Sequence, residues 1–443
     1  MRVTRRHFMS LGLTAAATLL GGCAARRRDR ALPPPLIETR LDTLGEEDFR
    51  RLTEAVLNFK HDGRTLLTVH DSLRWRSVSR DGRAVELPVR RERELLVVVQ
   101  RGERAGSAVS TSLTVEGAVA AAEEALAVLE QRAMPADDVE FLPALPPTVL
   151  PTMRIDTLEA TPDDRAALLR QMLAELDGAG DAPAAWIECS LVGAAVAAST
   201  GLRVFERRTL ARARAAVGTP QSRLMADTAH RSLSDLGAAE LAGELGQRAR
   251  RMSSAGAAPT EDTPLLLAPN AVAALVEAAL ESPGERPMHE RLTLRNHPFH
   301  PALIADGFDA CGAPTDHALW VDRGALRPEV SGRSPYSLLS SAPHLSCAGD
   351  VQSGMDALVR QVRRGLLVPR LSPSRTGGDF EASEGALLIT GGEIAQGVTP
   401  FVVRGAASTL RQVESATAPA EAVPGGNWKM LAPALLVPNP ARR

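Results

Sequence analysis

The sequence predicts an α+β protein: N-terminal and middle α/β units with mainly antiparallel strands, followed by a strand-rich C-terminal domain. Three observations predict it. Apolar residues recur at helical spacing only in isolated blocks. Turn dipeptides such as Asp81-Gly82 sit between alternating segments and suit tight hairpins. Beyond about residue 261 the apolar runs become short and glycine-punctuated, the mark of strands and turns. At 443 residues the chain is long for one domain, and two or three are expected.

In the N-terminal unit, 36–133, a helix is expected around Glu46 to Phe59, then a hairpin of Trp75 to Ser79 with Ala84 to Val89. Leu95 to Val99 is a fully apolar strand, followed by Gly106 to Ser112. A helix N-capped by Thr114 carries Val119, Ala122, Leu126 and Leu129 on one face. Five prolines between Pro135 and Thr152 mark a boundary. The middle unit, 153–252, opens at Thr161-Pro162-Asp163-Asp164, a capping hydroxyl with proline and acids in the first turn. Leu168, Leu169, Met172, Leu173 and Leu176 form that helix's buried stripe. Strands follow at Ala185 to Val192, Ala194 to Ala198 and Leu202 to Ala215, with Ser199-Thr200-Gly201 as a turn, and a helix from Asp235 to Met252. After a small-residue linker, Ser253 to Thr260, the C-terminal domain spans 261–443. It begins with the strand Leu265 to Leu267 and a helix, Asn270 to Leu280. A helix at Asp356 to Arg364 and strands at Gly365 to Pro369, Ala386 to Thr390, Pro400 to Arg404 and Leu431 to Val437 complete it.

Ahead of these units the chain reads as an address. Arg5 and Arg6 stand side by side before a modestly apolar run, Leu11 to Leu20, too short to span a bilayer. Residues 1–22 are therefore expected to be a twin-arginine export signal. Leu20-Gly21-Gly22-Cys23 resembles a bacterial lipobox, which implies acylation of Cys23 and a protein held at a membrane on the periplasmic side. Residues 23–35, with Arg26 to Arg28 and Pro33 to Pro35, form a basic, stiff tether.

Composition excludes several classes. The formal charge is −2, basic residues are dispersed and aromatics make up 3%, so no nucleic-acid partner is expected. After Cys23 the cysteines are Cys189, Cys311 and Cys347, an odd number at irregular spacing that fits neither a disulfide framework nor a zinc knuckle.

Several short motifs occur in a telling order. Leu292-Thr293-Leu294 with Asn296-His297-Pro298 is followed by Phe308-Asp309-Ala310-Cys311-Gly312-Ala313-Pro314-Thr315 and Val321-Asp322-Arg323-Gly324-Ala325-Leu326. Then come Gly365-Leu366-Leu367-Val368, Gly378-Asp379-Phe380 and Gly391-Gly392-Glu393, with Ser199-Thr200-Gly201 and Gly106 to Ser112 upstream. In this order the chain resembles the TldD/PmbA family of metallopeptidase-related proteins. The motifs resemble the family's "TLxDxP" strand, "FDxEGxPT" loop, "GLYV", "GDF" and "NGE" stretches and "NSxG" turn.

The resemblance implies one of two kinds of subunit. One carries HExxxH on the helix opening the third unit and a cysteine near the C-terminus, which together hold zinc. The other, the PmbA-like or TldE-like branch, lacks them and partners a zinc-bearing relative in a dimer around a peptide-cutting chamber. Here Val276 and Glu281 stand at the two histidine positions, beside Glu277, and no cysteine follows Cys347. Pro424 to Trp428 fills the zone of the zinc cysteine. The expectation is a subunit with no catalytic residue and no cofactor of its own, zinc residing in a TldD-like partner. Its partners would be that subunit or a second copy, an extended peptide, and a membrane through the lipid.

Other constellations offer alternatives. His297-Pro298-Phe299-His300 with His289-Glu290 is the densest cluster of potential ligands, and an active metallopeptidase with atypical ligands would draw on His289, His297, His300 and Cys311. Ser199 and the serines of Ser337 to Ser341 lack a nucleophile-elbow setting. The glycines at 377–378 and 391–392 read as turns, not phosphate cradles. A third reading is a lipid-tethered scaffold or binding lipoprotein without a peptidase role.

Overall fold

The structure, a computed structural model, describes residues 42–438 except 60, 133, 136–140, 220–221, 260–262, 282–286, 328–341, 375–378 and 426–427. Arg5, Arg6, Cys23, the tether, Ser337 to Ser341, Gly377, Gly378, Gly426 and Asn427 thus lie outside the described residues.

The first layer begins with helix α1 (Glu46–Leu57), which buries Phe49, Leu52 and Val56. Strand β1 (Arg64–Arg80) turns at Asp81-Gly82 into β2 (Arg83–Glu86). Both turn residues have positive φ, +49° and +73°, the backbone of a primed two-residue hairpin. Next come β3 (Arg90–Arg101), β4 (Arg104–Ser110), α2 (Val115–Arg132) and β5 (Met134–Pro135). The chain continues through α3 (Ile155–Leu158), α4 (Pro162–Glu175), β6 (Ala184–Ala198), β7 (Arg203–Thr219), β8 (Ser222–His230) and α5 (Ala238–Met252).

Eight of these strands form one antiparallel sheet ordered β5-β4-β3-β1-β6-β7-β8, with β2 paired to β1. β1 pairs with β3 on one side and with β6 on the other, from Leu66 opposite Ala198 to Val78 opposite Trp186. The segments 36–133 and 153–252, read from the sequence as separate units, therefore share a single sheet. All four long helices lie on one face of it. Leu67, Val69, Leu95, Val97, Ala195 and Ala197 pack beneath α1 and α2, and Ile187, Cys189, Ala211, Ala213 and Ala215 beneath α4 and α5. Alanine dominates under the second pair and lets the helices approach closely.

Two strand expectations are corrected. Ala185 to Val192 and Ala194 to Ala198 are one strand, because Gly193 marks a close approach and not a turn: a β-carbon there would lie 3.3 Å from the Leu44 carbonyl oxygen. Leu431 to Val437 divides at Pro433 into two strands of different sheets.

The third unit consists of β9 (Leu265–Leu267), α6 (Pro269–Glu281), β10 (Leu292–Asn296), β11 (Ala318–Asp322), β12 (Ala325–Leu326), β13 (Pro343–Cys347) and β14 (Val351–Gln352). It continues through α7 (Met355–Gln361), β15 (Arg364–Val368), β16 (Ser372–Pro373), β17 (Phe380–Ala382), β18 (Ala386–Thr390), β19 (Glu393–Val398) and β20 (Phe401–Val403). The remaining elements are α8 (Ala406–Thr409), β21 (Ser415–Thr417), β22 (Glu421–Gly425), β23 (Trp428–Ala432) and β24 (Leu435–Val437). One sheet runs β12-β11-β10-β13-β23-β22, a second β14-β21-β24-β9-β15-β18-β19, and a small third β16-β17-β20. Helix α6 shares a core with both larger sheets: Val272, Leu275, Val276 and Ala279 join Leu265, Leu267 and Val368 from one and Leu292, Leu294 and Leu345 from the other. Gly391 and Gly392, both at positive φ, close the β18-β19 hairpin as a turn.

Ion pairs join the third unit to α5 and β8 of the first layer. Arg248 bonds Glu384 at 2.7 Å and Arg370 bonds Asp227 at 3.2 Å.

Candidate functional site

Three places compete for function. The first is the segment of α6 that the motif resemblance aligns with the zinc histidines of the TldD/PmbA family. Val276 is 0% exposed there, enclosed between the two larger sheets with Leu275 and Ala279. A valine offers a metal no donor, and its surroundings are apolar. Glu277 is half-buried; the Glu281 side chain lies outside the described residues. The C-terminal zone has become the β22-β23 hairpin, in which Gly425 pairs with Trp428.

The second place is the helix-free face of the eight-stranded sheet. Strand alternation sends His70, Arg74, Glu188, Ser190, Arg208 and Arg212 to this face, where they line a cleft of about 350 Å³. Part of its roof is the loop carrying Asp306, Phe308 and Asp309. Phe308 packs with Leu66, Val98, Val196 and Val204, so the roof rests on the sheet by an apolar anchor. The loop is built by Asp309, whose Oδ1 accepts from the amides of Cys311 at 2.9 Å and Ala313 at 3.0 Å. Gly312 has φ +82°, and a β-carbon there would stand 2.5 Å from Leu202. The motif read as "FDxEGxPT" is thus an architectural loop.

Charges in the cleft are mutually held. Glu188, buried, accepts from Arg76 Nε at 2.9 Å, and Arg208 pairs with Asp306 at 3.2 Å. Burial raises the Glu206 carboxyl, with Asp306 adding to it, while the Gly307 amide donates to the same carboxylate. Burial lowers the His70 imidazole, and Arg208 lowers it further. At the outer end Arg76 and Arg214 stack over Trp186, 4.8 and 5.5 Å from its ring centroid. The cleft offers guanidinium donors, carboxylate acceptors and an apolar floor.

The third place is a cluster of histidines that the sequence only half revealed. The rings of His297 and His300 stand 5.4 Å apart, His297 and His317 5.2 Å, His297 and His344 6.0 Å, and His300 and His344 6.4 Å. His297 and His300 follow β10, His317 precedes β11 and His344 sits on β13. These strands are neighbours in the sheet: Asn296 faces Ala318 on one side and Pro343 on the other. The signal for His317 and His344 was available only through this pairing. His289 lies before β10, at the opposite end of the strand from His297, with its amide on the Leu410 carbonyl at 2.7 Å. Cys311 belongs to the Asp309 loop. Of the four residues grouped from the sequence, the structure brings His297 and His300 together. Among the described residues no three His, Cys, Asp or Glu side chains are already arranged to hold a metal ion.

The remaining candidates are structural. The Ser199 hydroxyl accepts from the Thr65 amide at 3.0 Å and its own amide donates to the Thr65 carbonyl, fastening the β6-β7 turn to β1. Cys189, Cys311 and Cys347 are thiols; burial pushes Cys189 up to about 12 and also raises Cys347, which leaves both poor nucleophiles. No helix among the described residues is long and apolar enough to cross a membrane.

Three features define the class of this protein: a helix-backed antiparallel sheet with an open, charged face, a β-rich third unit, and a helix between that unit's sheets. The sequence matches no family model and, at a significant level, no curated protein. Solved structures do match. TldE from Thermococcus kodakarensis superposes with a TM-score of 0.73 over 88% of this chain and 99% of its own, at 19% identity. A proposed modulator of a DNA gyrase from Thermotoga maritima gives 0.70 over 89% and 98%, at 16% identity. Another from Bacteroides thetaiotaomicron gives 0.71 over 89% and 97%, at 17%. This chain has the fold of TldE and of the TldD/PmbA-like proteins.

Proposed function

We propose that this chain is an exported, non-catalytic member of the TldD/PmbA family, of the PmbA-like branch, and that it shapes a peptide-binding chamber in a metallopeptidase assembly. Its partner is a zinc-bearing relative or a second copy of itself. Val276 carries the reading: the residue that motif order aligns with the first zinc histidine is a fully buried core valine, and a hydrolytic zinc needs about three protein ligands and an open position for water. The fold shared with a protein named TldE favours the same branch. The cleft on the open sheet face supplies donors and acceptors for a peptide, and β19, at the edge of its sheet and exposed over much of Glu393 to Gln396 while its far end bonds Gly256, supplies a short stretch for main-chain pairing. Arg5-Arg6 and Cys23 support export by the twin-arginine route and a lipid anchor.

The experiment is co-expression with an HExxxH-bearing relative, followed by purification and an assay on unstructured peptides. A stable complex is expected whose hydrolysis depends on the partner's zinc motif, with no hydrolysis by this chain alone. Peptide cleavage by the isolated chain, or failure to associate with the relative or with itself, overturns the reading. For export, replacing Arg5 and Arg6 with lysine is expected to retain the protein in the cytoplasm, and Cys23→Ala to move it from the membrane fraction to the soluble one.

A further inference from the structure

Four of the nine histidines of this chain meet in one place, and their backbones are fixed there by bonds that involve no imidazole. The His297 amide donates to the Ala342 carbonyl at 2.8 Å, and the His300 amide to the His297 carbonyl at 3.1 Å. His344 is held in register opposite Arg295. Asn296 ties the strands around it: its side-chain amide donates to the Asp316 carbonyl beside His317, and its Oδ1 accepts from the Ala342 amide. The side chains face one another with few outside contacts: Nδ1 of His300 accepts from the Ala302 amide at 3.3 Å, and the His317 ring lies 5.4 Å from that of Phe299. Nδ1 of His297 is enclosed and has no hydrogen-bond partner, an uncommon state for a buried polar atom.

Two histidines bound to one tetrahedral ion through nitrogens at about 2.1 Å place their ring centres roughly 5 Å apart. Four of the six ring separations run from 5.2 to 6.4 Å, with ring planes inclined by 40–52°; His317 adjoins the set through His297. Drawing His297, His300 and His344 onto one ion therefore asks for side-chain rotation and about an ångström of approach.

We propose that His297, His300 and His344, with His317 as the fourth donor, form a binding site for one divalent transition-metal ion of the zinc and copper class. An all-imidazole set suits zinc, copper and nickel and disfavours magnesium and calcium. Four imidazoles fill a tetrahedral shell and leave no position for water, so the ion fastens β10, β13 and the turn before β11 together without hydrolysing anything. The inference is independent of the proposed function: a peptidase activity lost with these histidines would overturn the non-catalytic reading, whereas absence of metal binding overturns this one.

The test uses the full chain, produced without a histidine tag and stripped with a chelator, titrated calorimetrically with Zn²⁺. One equivalent is expected, with a melting temperature that rises on saturation. His300→Ala and His344→Ala should each weaken binding at least tenfold, while His289→Ala, at the far end of β10, should leave it unchanged. A measurement on the unmodified chain guards against misfolded variants: Zn²⁺ should protect His297, His300 and His344 from diethyl pyrocarbonate and leave His61 and His289 as reactive as before. No uptake at micromolar free Zn²⁺, uptake indifferent to His300 and His344, or uptake without that protection overturns the proposal.

Discussion

At Gly312 the backbone takes a left-handed conformation in which a β-carbon would drive into Leu202 and Val196. Gly312→Ala is expected to cost about 2–3 kcal/mol in chemical denaturation, strain and overlap combined. The buried face of α6 makes a second test: Val276→His places an imidazole in an apolar core and should cost about 2–4 kcal/mol without conferring zinc uptake at that position. Glu206 makes a third. Its carboxyl is raised by burial from the ordinary 4.5, so the folded chain favours the protonated form. The cost of ionising it is absent below 4.5 and complete above the folded value, and stability falls as pH rises through that window. Glu206→Gln removes the cost, and its melting temperature relative to the parent should climb as the pH is raised from about 4 towards neutrality. At this scale the sequence was legible where neighbours in the chain build the feature, as in Asp309 to Gly312. It was silent where the partner is distant: His344 meets His297 across 47 positions, through a strand pairing that no local pattern encodes.

Helix starts were legible because their chemistry is local. Thr161 accepts from the Asp164 amide at 3.2 Å while the Asp164 carboxylate accepts from the Thr161 amide at 2.9 Å, the reciprocal capping box the residues announce. Thr114 likewise accepts from the Gly117 amide at 3.1 Å. Thr161→Ala should cost about 1 kcal/mol in thermal or chemical unfolding, with the α4 amides exchanging faster by hydrogen–deuterium mass spectrometry. Strands fared less evenly. The hairpin at Asp81-Gly82 and the turn at Gly391-Gly392 came from their residues, yet Gly193 misled, since a glycine that admits a neighbouring loop and a glycine that turns the chain look alike in sequence. β8 escaped notice because its pairing with β7 mixes alanine with charged side chains and shows no apolar alternation.

Across the whole molecule the segments 36–133 and 153–252 cannot be separated without breaking a sheet. Between them β1 and β6 are paired along nearly their full length, and neither would bury its apolar face against solvent alone. A fragment ending near residue 133 should therefore be unfolded by circular dichroism and readily proteolysed, although its composition resembles a domain. The helix-free face is also a whole-molecule feature: strand alternation foretells which residues share it, but that the C-terminal loop at Phe308 settles on it follows only from the packed chain.

The arrangement around β9 bears on how the protein is made. Leu265, Leu266 and Leu267 are buried completely, between β15 on one side and β24 on the other. β24, at Leu435–Val437, leaves the ribosome some 170 residues after the strand it must cover. Throughout that interval a wholly apolar edge stands open to any other nascent chain with a strand to offer. Order of synthesis and order in the sheet are opposed here, so the third unit is closed from its tail, and a chaperone that shields Leu265 to Leu267 should govern yield more than the stability of the finished fold does.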